Sequence, residues 1–194
     1  MRAQGTSPVS TYALTVVLLG FLSCSSPQPP SAGGTAAAPP APLILAVNEG
    51  EARTWRNWGD TPFIIKVDRQ NGGSPDLFMG YEDIAPGLAI PAHRHPTADE
   101  IVFVHRGSGV AQVGQREAAF TEGATVYIPR GVRVTIRNTG TGPLSIVFIF
   151  SKPGFEEFMR DNSVPAGQAV LPLSENELAQ IREKHRSHVV YEQP

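Results

Sequence analysis

Two histidines and a glutamate stand close together in the stretch PAHRHPTADE, residues 91–100. His93 and His95 are separated by one residue, and Glu100 follows after four more. In an extended segment residues two apart point to the same side, so both imidazoles should face one way. Two imidazoles and a carboxylate suit a divalent transition metal and leave coordination positions open. The alternative is a hydrogen-bonded cluster that binds no metal.

The composition of the chain describes a globular protein with one ordinary domain and some appendages. Its 194 residues are 41% apolar and 18% charged, which provides enough apolar side chains for a sizeable core. The formal net charge is −2 at pH 7. A chain with this charge lacks the basic surface that nucleic acid requires, so we expect no nucleic-acid partner.

The N-terminal residues 1–24 have the features of an export signal. Arg2 precedes the apolar run ALTVVLLGFL (13–22), which is too short to span a bilayer. The run ends in FLSC, which resembles the signal of bacterial lipoproteins with Phe21 where leucine is usual. That resemblance implies lipid anchoring at Cys24 and a protein exported to the cell envelope or periplasm. The alternative is a plain signal peptide with an incidental cysteine.

A tether is predicted between the signal and the working domain. The segment SSPQPPSAGGTAAAPPAP (25–42) has no charge and no large apolar residue. It cannot bury enough surface to offset its ordering entropy, so it should act as a spacer. The working domain is then residues 43–194.

The pattern beyond the tether predicts an all-β domain. Short runs rich in β-branched and aromatic residues alternate with Gly, Pro and Asn clusters, which favours a sandwich or barrel over β/α units. The last run, LSIVFIF (144–150), is apolar on both alternating faces. One face should line the interior and the other should meet a helix or a second subunit, so we expect a homodimer. The other runs are TPFIIKVD, DLFMGYEDIA, EIVFVHRG, GVAQVG, ATVYIP and VRVTIRN.

Two short helices are predicted to close the chain, at 154–161 and 174–185. The second opens with Ser174 and Glu177 at capping-box spacing. The terminal HRSH contains two further histidines, His185 and His188. Their polar context predicts solvated side chains rather than metal ligands.

The stretch around the first histidine pair resembles the first sequence motif of the cupin superfamily. In GLAIPAHRHPTADEIVFVHRG, five residues separate Gly87 from His93, and six separate Glu100 from Gly107. Fifteen residues later GATVYIPRGVRVTIRN matches most of the second motif. The residues that match are Gly123, Pro129, Gly131 and Asn138.

This resemblance covers about residues 60–160, with the two motifs at 87–138. It implies a single cupin barrel, which is a double-stranded β-helix or jelly roll, followed by short C-terminal helices. The motif glycines and Pro129 should form tight turns rather than take part in chemistry.

One position departs from the cupin pattern. The family normally has a fourth metal ligand, a histidine, where this chain has Val134. The resemblance therefore implies a three-ligand site of His93, His95 and Glu100, similar to the facial triad of non-haem iron oxygenases and weaker than a four-ligand site. Val134 and its alternating neighbours should make the wall opposite the histidines apolar.

Four other side chains have a predicted place. His105 lies five residues after Glu100, so it should be on the outer face, at a subunit contact. Trp55 and Trp58 are expected to pack an N-terminal arm over the barrel or across a dimer interface, with a place in a ligand pocket as the alternative. The face of Tyr127 is not determined by the sequence.

Two classes of function fit these residues. The first is a dioxygenase-like metal enzyme, in which the triad holds a divalent metal, open positions bind a small molecule, and Glu100 or a metal-bound hydroxide transfers protons. The second is a non-catalytic cupin that binds a small molecule next to a degenerate or empty metal site. The identity of the metal is left open because imidazole and carboxylate accept Fe, Mn, Zn or Ni.

Overall fold

The computed structural model describes residues 42–58, 61–72 and 74–192. The predicted signal, 1–24, and all but the last residue of the predicted tether, 25–42, lie outside these ranges. No helix in the described ranges is both long enough and apolar enough to cross a bilayer.

The described residues form twelve β-strands and two α-helices. Strands dominate, as the alternating pattern predicts. In chain order the elements are β1 Glu51–Trp55, β2 Pro62–Val67, β3 Phe78–Ile84, β4 Ala89–Arg94, β5 Glu100–Arg106, β6 Ser108–Val113, β7 Arg116–Thr121, β8 Thr125–Ile128, β9 Val134–Asn138, β10 Leu144–Phe150, α1 Phe155–Asp161, β11 Ser163–Pro165, α2 Glu175–Lys184 and β12 Val190–Tyr191.

The strands form two sheets in which every pairing is antiparallel. The seven-stranded sheet has the order β11-β1-β2-β3-β10-β5-β8, and the five-stranded sheet has the order β12-β4-β9-β6-β7. The consecutive strands β4 and β5 therefore lie in different sheets. The chain crosses from one sheet to the other at the histidine motif, and this crossing positions the candidate site.

The core lies on the inner face of the seven-stranded sheet, where β3 and β10 contribute every second residue. On β10, Phe148 and Phe150 are buried and their neighbour Ile149 is only half-buried. Phe148 pairs with Gly80 of β3, where a Cβ atom would lie 2.3 Å from the Phe148 ring. Glycine at this position therefore leaves room for a phenylalanine from the neighbouring strand.

Both predicted helices form, and they pack on the side of the seven-stranded sheet that faces the barrel interior. In α1 the Phe155 ring lies 5.2 Å from that of Phe150, between ring centroids. The helix α2 begins with the predicted capping box: the Ser174 side chain accepts a hydrogen bond from the Glu177 backbone N–H, and the Glu177 carboxylate accepts one from the Ser174 N–H. Both helices lie on the inner side, where Phe155 and Leu178 line one cavity with Phe148, so the outer face of β10 does not meet a helix; a second subunit on that face stays a prediction.

The outer face of the seven-stranded sheet stays apolar and accessible. Ile101 and Phe103 on β5 are 41% and 40% exposed, and Tyr127 on β8 is 59% exposed. His105 is also exposed on this face, as predicted from its spacing. Tyr127 points away from the barrel interior and has no part in the candidate site.

The segment 42–50 is fixed to the barrel by one buried lysine on β2. The Lys66 ammonium donates hydrogen bonds to the backbone carbonyls of Ala46, Val47 and Glu49 at 2.7, 2.6 and 2.5 Å. All three donors of the ammonium are thereby used. The segment lines a cleft with outer-face residues of β3 and β10, so it covers part of that face.

Candidate metal centre

The structure brings the predicted ligands together at the crossing between the two sheets. His93 lies near the end of β4, His95 follows that strand, and Glu100 opens β5. All three are buried, and one ligand atom from each lies within 4.8 Å of the others. They come from strands in opposite sheets, joined by a short connection.

That connection is fixed by the turn of the second motif. The backbone N–H of Gly131 donates to the His95 carbonyl at 2.8 Å. Gly131 has φ of 77°, which a side chain would strain, so the predicted turn role is confirmed. Next to it the Arg130 guanidinium donates to the Asp99 carboxylate at 2.7 Å. The two motifs are thus linked directly where the ligands lie.

Backbone carbonyls orient both imidazoles. The Nδ1 atom of His93 lies 2.7 Å from the Pro91 carbonyl oxygen, and Nδ1 of His95 lies 2.8 Å from that of His188. A carbonyl oxygen only accepts, so Nδ1 carries the proton in both rings and Nε2 keeps its lone pair. This is the tautomer in which Nε2 binds a metal, with the other nitrogen held by an outer hydrogen bond.

Two buried atoms of the cluster have no hydrogen-bond partner. These are His95 Nε2 and Glu100 Oε2, which lie 3.6 Å from each other. Buried polar atoms are nearly always paired, because an unpaired one retains the full cost of desolvation. Both atoms have lone pairs, so a divalent cation fits between them and would satisfy both.

Burial keeps the cluster uncharged at neutral pH. Desolvation lowers the pKa of His93 to about 4 and that of His95 to about 3, with the neighbouring imidazole adding to the second shift. Desolvation also raises the pKa of Glu100 to about 8, and the charge of Glu82 raises it further. A cation bound here favours the ionised carboxylate, so metal binding and proton release are coupled.

Val134 lies beside the histidines rather than opposite them. It is the Cα partner of His93 on the neighbouring strand β9, and it is 1% exposed. The predicted apolar character is confirmed, since Ile136 on the same face is also buried. Val134, the residue that departs from the cupin pattern, is therefore a direct neighbour of His93.

A cavity of about 120 Å³ adjoins the candidate ligands and is walled mainly by apolar side chains, both aliphatic and aromatic. Trp55 and Trp58 both line it, which agrees with the alternative expectation of a place in a ligand pocket. Trp55 is buried, and its ring centroid lies 6.2 Å from that of Trp58. The cavity also contains Glu82, a buried carboxyl that the motifs do not indicate.

The C-terminal segment supports the site, so the expectation of solvated histidines in HRSH is wrong. His185 is buried, and its Nε2 lies 2.6 Å from the Asp161 carboxylate. The His188 carbonyl holds His95, and the Tyr191 ring stacks on His93 with centroids 5.5 Å apart. Among the described residues, HRSH contributes to no candidate metal cluster.

Comparison with known proteins agrees with the architecture. Residues 80–150 match the family model of the cupin domain. The chain is 32% identical over 79 residues to the tetracenomycin polyketide synthase protein TcmJ of Streptomyces glaucescens, covering 41% of this chain and 53% of that protein. It is 33% identical over 93 residues to protein SchB of Streptomyces halstedii, covering 48% and 66%. The chain thus spans less than two thirds of each relative.

A solved structure has the same fold. The crystal structure of a predicted oxalate decarboxylase from Thermotoga maritima superposes with a TM-score of 0.51 at 16% identity, covering 57% of this chain and all of that one. At this identity the likeness concerns the fold alone. Together with the sheet order, it shows that the domain has the cupin fold, and residues 80–150 are similar to the cupin domain family.

Proposed function

We propose that this protein binds one divalent transition metal through His93, His95 and Glu100 and acts on a small molecule in the adjoining cavity. The observation that carries the proposal is the pair of unpaired buried atoms, His95 Nε2 and Glu100 Oε2. The set of two imidazoles and one carboxylate suits Fe, Mn, Zn or Ni and leaves positions open.

The reaction class that we favour is dioxygenase-like. A bound metal would supply Lewis-acid polarisation and open coordination positions for substrate and dioxygen. The aromatic walls of the cavity would exclude water and hold an apolar compound beside His93 and Glu100. Glu100 or a metal-bound hydroxide would move the proton. The relative named as a polyketide synthase protein is consistent with a small organic substrate.

A non-catalytic binding cupin is the second candidate. It is favoured by Val134, which occupies the position of the usual fourth ligand and leaves three protein ligands at most. In this case the cavity holds a small molecule and any metal has a structural role.

Metal content tests the first candidate. Protein purified without chelator and dialysed exhaustively should retain close to one equivalent of a transition metal if it is a metal enzyme. Elemental analysis measures this directly. A folded protein that contains no metal and takes up none on incubation with Fe, Mn, Zn or Ni would support the binding cupin and exclude the enzyme.

We further propose that the protein is exported and anchored in the envelope by a lipid on Cys24. The support is the apolar run 13–22 followed by FLSC and an uncharged tether. Fully extended, a tether of this length reaches roughly 55 Å at about 3.1 Å per residue. The variant Cys24→Ala should be soluble. If that variant stays in the membrane fraction, lipid anchoring at this residue is excluded.

A further inference from the structure

Glu82 is a second buried carboxyl in the cavity, and it lies outside the candidate metal cluster. It is 3% exposed and lies on the inner face of β3, where it pairs with Ile146 of β10. Glu100 pairs with Phe150 of the same strand from the other side. The two carboxyls therefore flank β10 at positions four residues apart, and the cavity touches both.

The hydrogen bonding of Glu82 is incomplete. Its Oε1 atom accepts a hydrogen bond from the Trp55 indole N–H at 2.6 Å. Among the described residues no other hydrogen bond to this carboxyl is present. Trp55 is itself held by packing against the Phe63 ring, with centroids 4.6 Å apart, so the carboxyl is fixed in place. A buried carboxyl with one fixed partner retains hydrogen-bonding capacity for whatever fills the cavity.

The size and walls of the cavity limit what can bind. Its volume of about 120 Å³ is slightly below the ~150 Å³ of an engineered apolar cavity that takes benzene. The apolar lining includes Phe148, Phe158 and Met159, which favour a flat apolar body. Such a space suits a compound of about one six-membered ring.

We propose that Glu82 is a specificity-determining residue, which binds a hydroxyl or amine donor of a compact single-ring compound. Its carboxyl accepts the hydrogen bond from the donor, while Trp55 keeps the carboxyl in place. A compound with the same ring but no donor leaves the buried carboxyl unsatisfied and is rejected. This rests on the small-molecule part of the proposed function and is independent of the metal.

The test compares phenol with anisole, which has the same ring but a methyl ether in place of the donor. Binding is measured by NMR titration of metal-free protein in chelator at pH 9, where Glu82, whose pKa burial raises to about 8, is ionised and can only accept a hydrogen bond. Wild-type protein should bind phenol about tenfold more tightly than anisole, which corresponds to one good hydrogen bond. The variant Glu82→Leu should lose this preference and still bind anisole. The matched variant Glu82→Gln keeps a hydrogen-bond acceptor and should retain most of the preference for phenol.

Three results would overturn the proposal: no preference in wild-type protein, the same preference in Glu82→Leu, or no binding of either ring compound. If Glu82→Leu does not fold, the preference of wild-type protein for phenol over anisole and NOEs between phenol and the Trp55 ring still test the proposal. Titration with Mn²⁺ is run in parallel, and Glu82→Leu should bind it like wild type. Loss of metal binding with the phenol preference intact would refute the metal site alone.

Discussion

The histidines owe their ligand character to the backbone around them. Pro91 and His188 each supply the carbonyl that holds an imidazole by Nδ1, and burial keeps both rings neutral. A neutral ring with a free Nε2 needs to lose no proton before it binds a metal. The ligands are thus prepared before any cation arrives, which reduces the cost of assembling the site.

Restoring the family residue should strengthen the site. Val134 is buried next to His93, so the variant Val134→His places an imidazole within the cluster. We expect divalent metal to bind about tenfold more tightly or better, because a fourth protein ligand replaces water. Calorimetric titration measures the change, with Val134→Leu as a control of similar bulk. Equal affinities in both folded variants and wild type would contradict the placement of this residue.

Glu82 should make the stability of the metal-free protein depend on pH. Burial raises its pKa to about 8 from a usual 4.5, so between these values the folded state binds more protons than the unfolded state. The free energy of unfolding therefore falls as pH rises through this window. Glu82→Gln cannot titrate, so its Tm relative to wild type should be higher at pH 9 than at pH 5, by about 3 °C or more. A constant Tm difference would show that the carboxyl is not buried in this way.

The candidate cluster of His93, His95 and Glu100 could be predicted from the sequence, whereas Glu82 was missed. The spacing and the cupin resemblance indicate these three residues, but the crossing between the two sheets that brings Glu100 to the histidines has no signal in the spacing. Glu82 and Asp83 are neighbours, and only the alternation with the buried Phe78 and Ile84 shows that Glu82 faces inward. That signal is present in the sequence, but a single polar residue in an apolar alternation gives no motif.

At the level of secondary-structure elements, the strands that form only through pairing with other strands were the least predictable feature. The strand β7 was not predicted because only one of its six residues, Phe120, is buried, so it has no apolar period. The two-residue strand β12 forms only because β4 offers it an edge, and it brings Tyr191 onto His93. Contacts of this kind depend on the tertiary fold and leave no local pattern.

The segment 42–50 should detach when its lysine is removed. Lys66→Met deletes three hydrogen bonds to backbone carbonyls of this segment and leaves those carbonyls unpaired. We expect chymotrypsin, which does not cut at lysine, to cleave after Leu43 or Leu45 several times faster than in wild type. Mass spectrometry of the fragments measures this. The control variant Lys152→Met, at an exposed position, should be cleaved at the wild-type rate. Equal cleavage rates in the two variants would show that Lys66 does not hold the segment.

On the scale of the whole molecule, the outer face of the seven-stranded sheet is the feature that needs a partner. Neither helix covers it, and segment 42–50 covers only the part around Met79, Val147 and His105. Ile101, Phe103 and Tyr127 form the apolar remainder on β5 and β8. A second copy of the chain, related by a two-fold axis, would bury this patch on both subunits.

We therefore expect a homodimer that one charge can disrupt. Phe103→Glu puts a carboxylate in the patch, and sedimentation at micromolar concentration should then show a monomer where wild type is a dimer. Leu171→Glu, an exposed apolar position outside the patch, should remain dimeric. If wild-type protein is monomeric, this face does not form a homodimer interface.

The most direct test of the account is metal titration of the apo protein with single ligands removed. Calorimetry with Mn²⁺ or Zn²⁺ should give one site per chain in wild type and no measurable binding in His95→Ala, whose Nε2 is one of the two unpaired buried atoms. His105→Ala removes an exposed histidine on the opposite face and should bind like wild type. If folded His95→Ala binds metal with full affinity, the cluster at the sheet crossing is not the metal site.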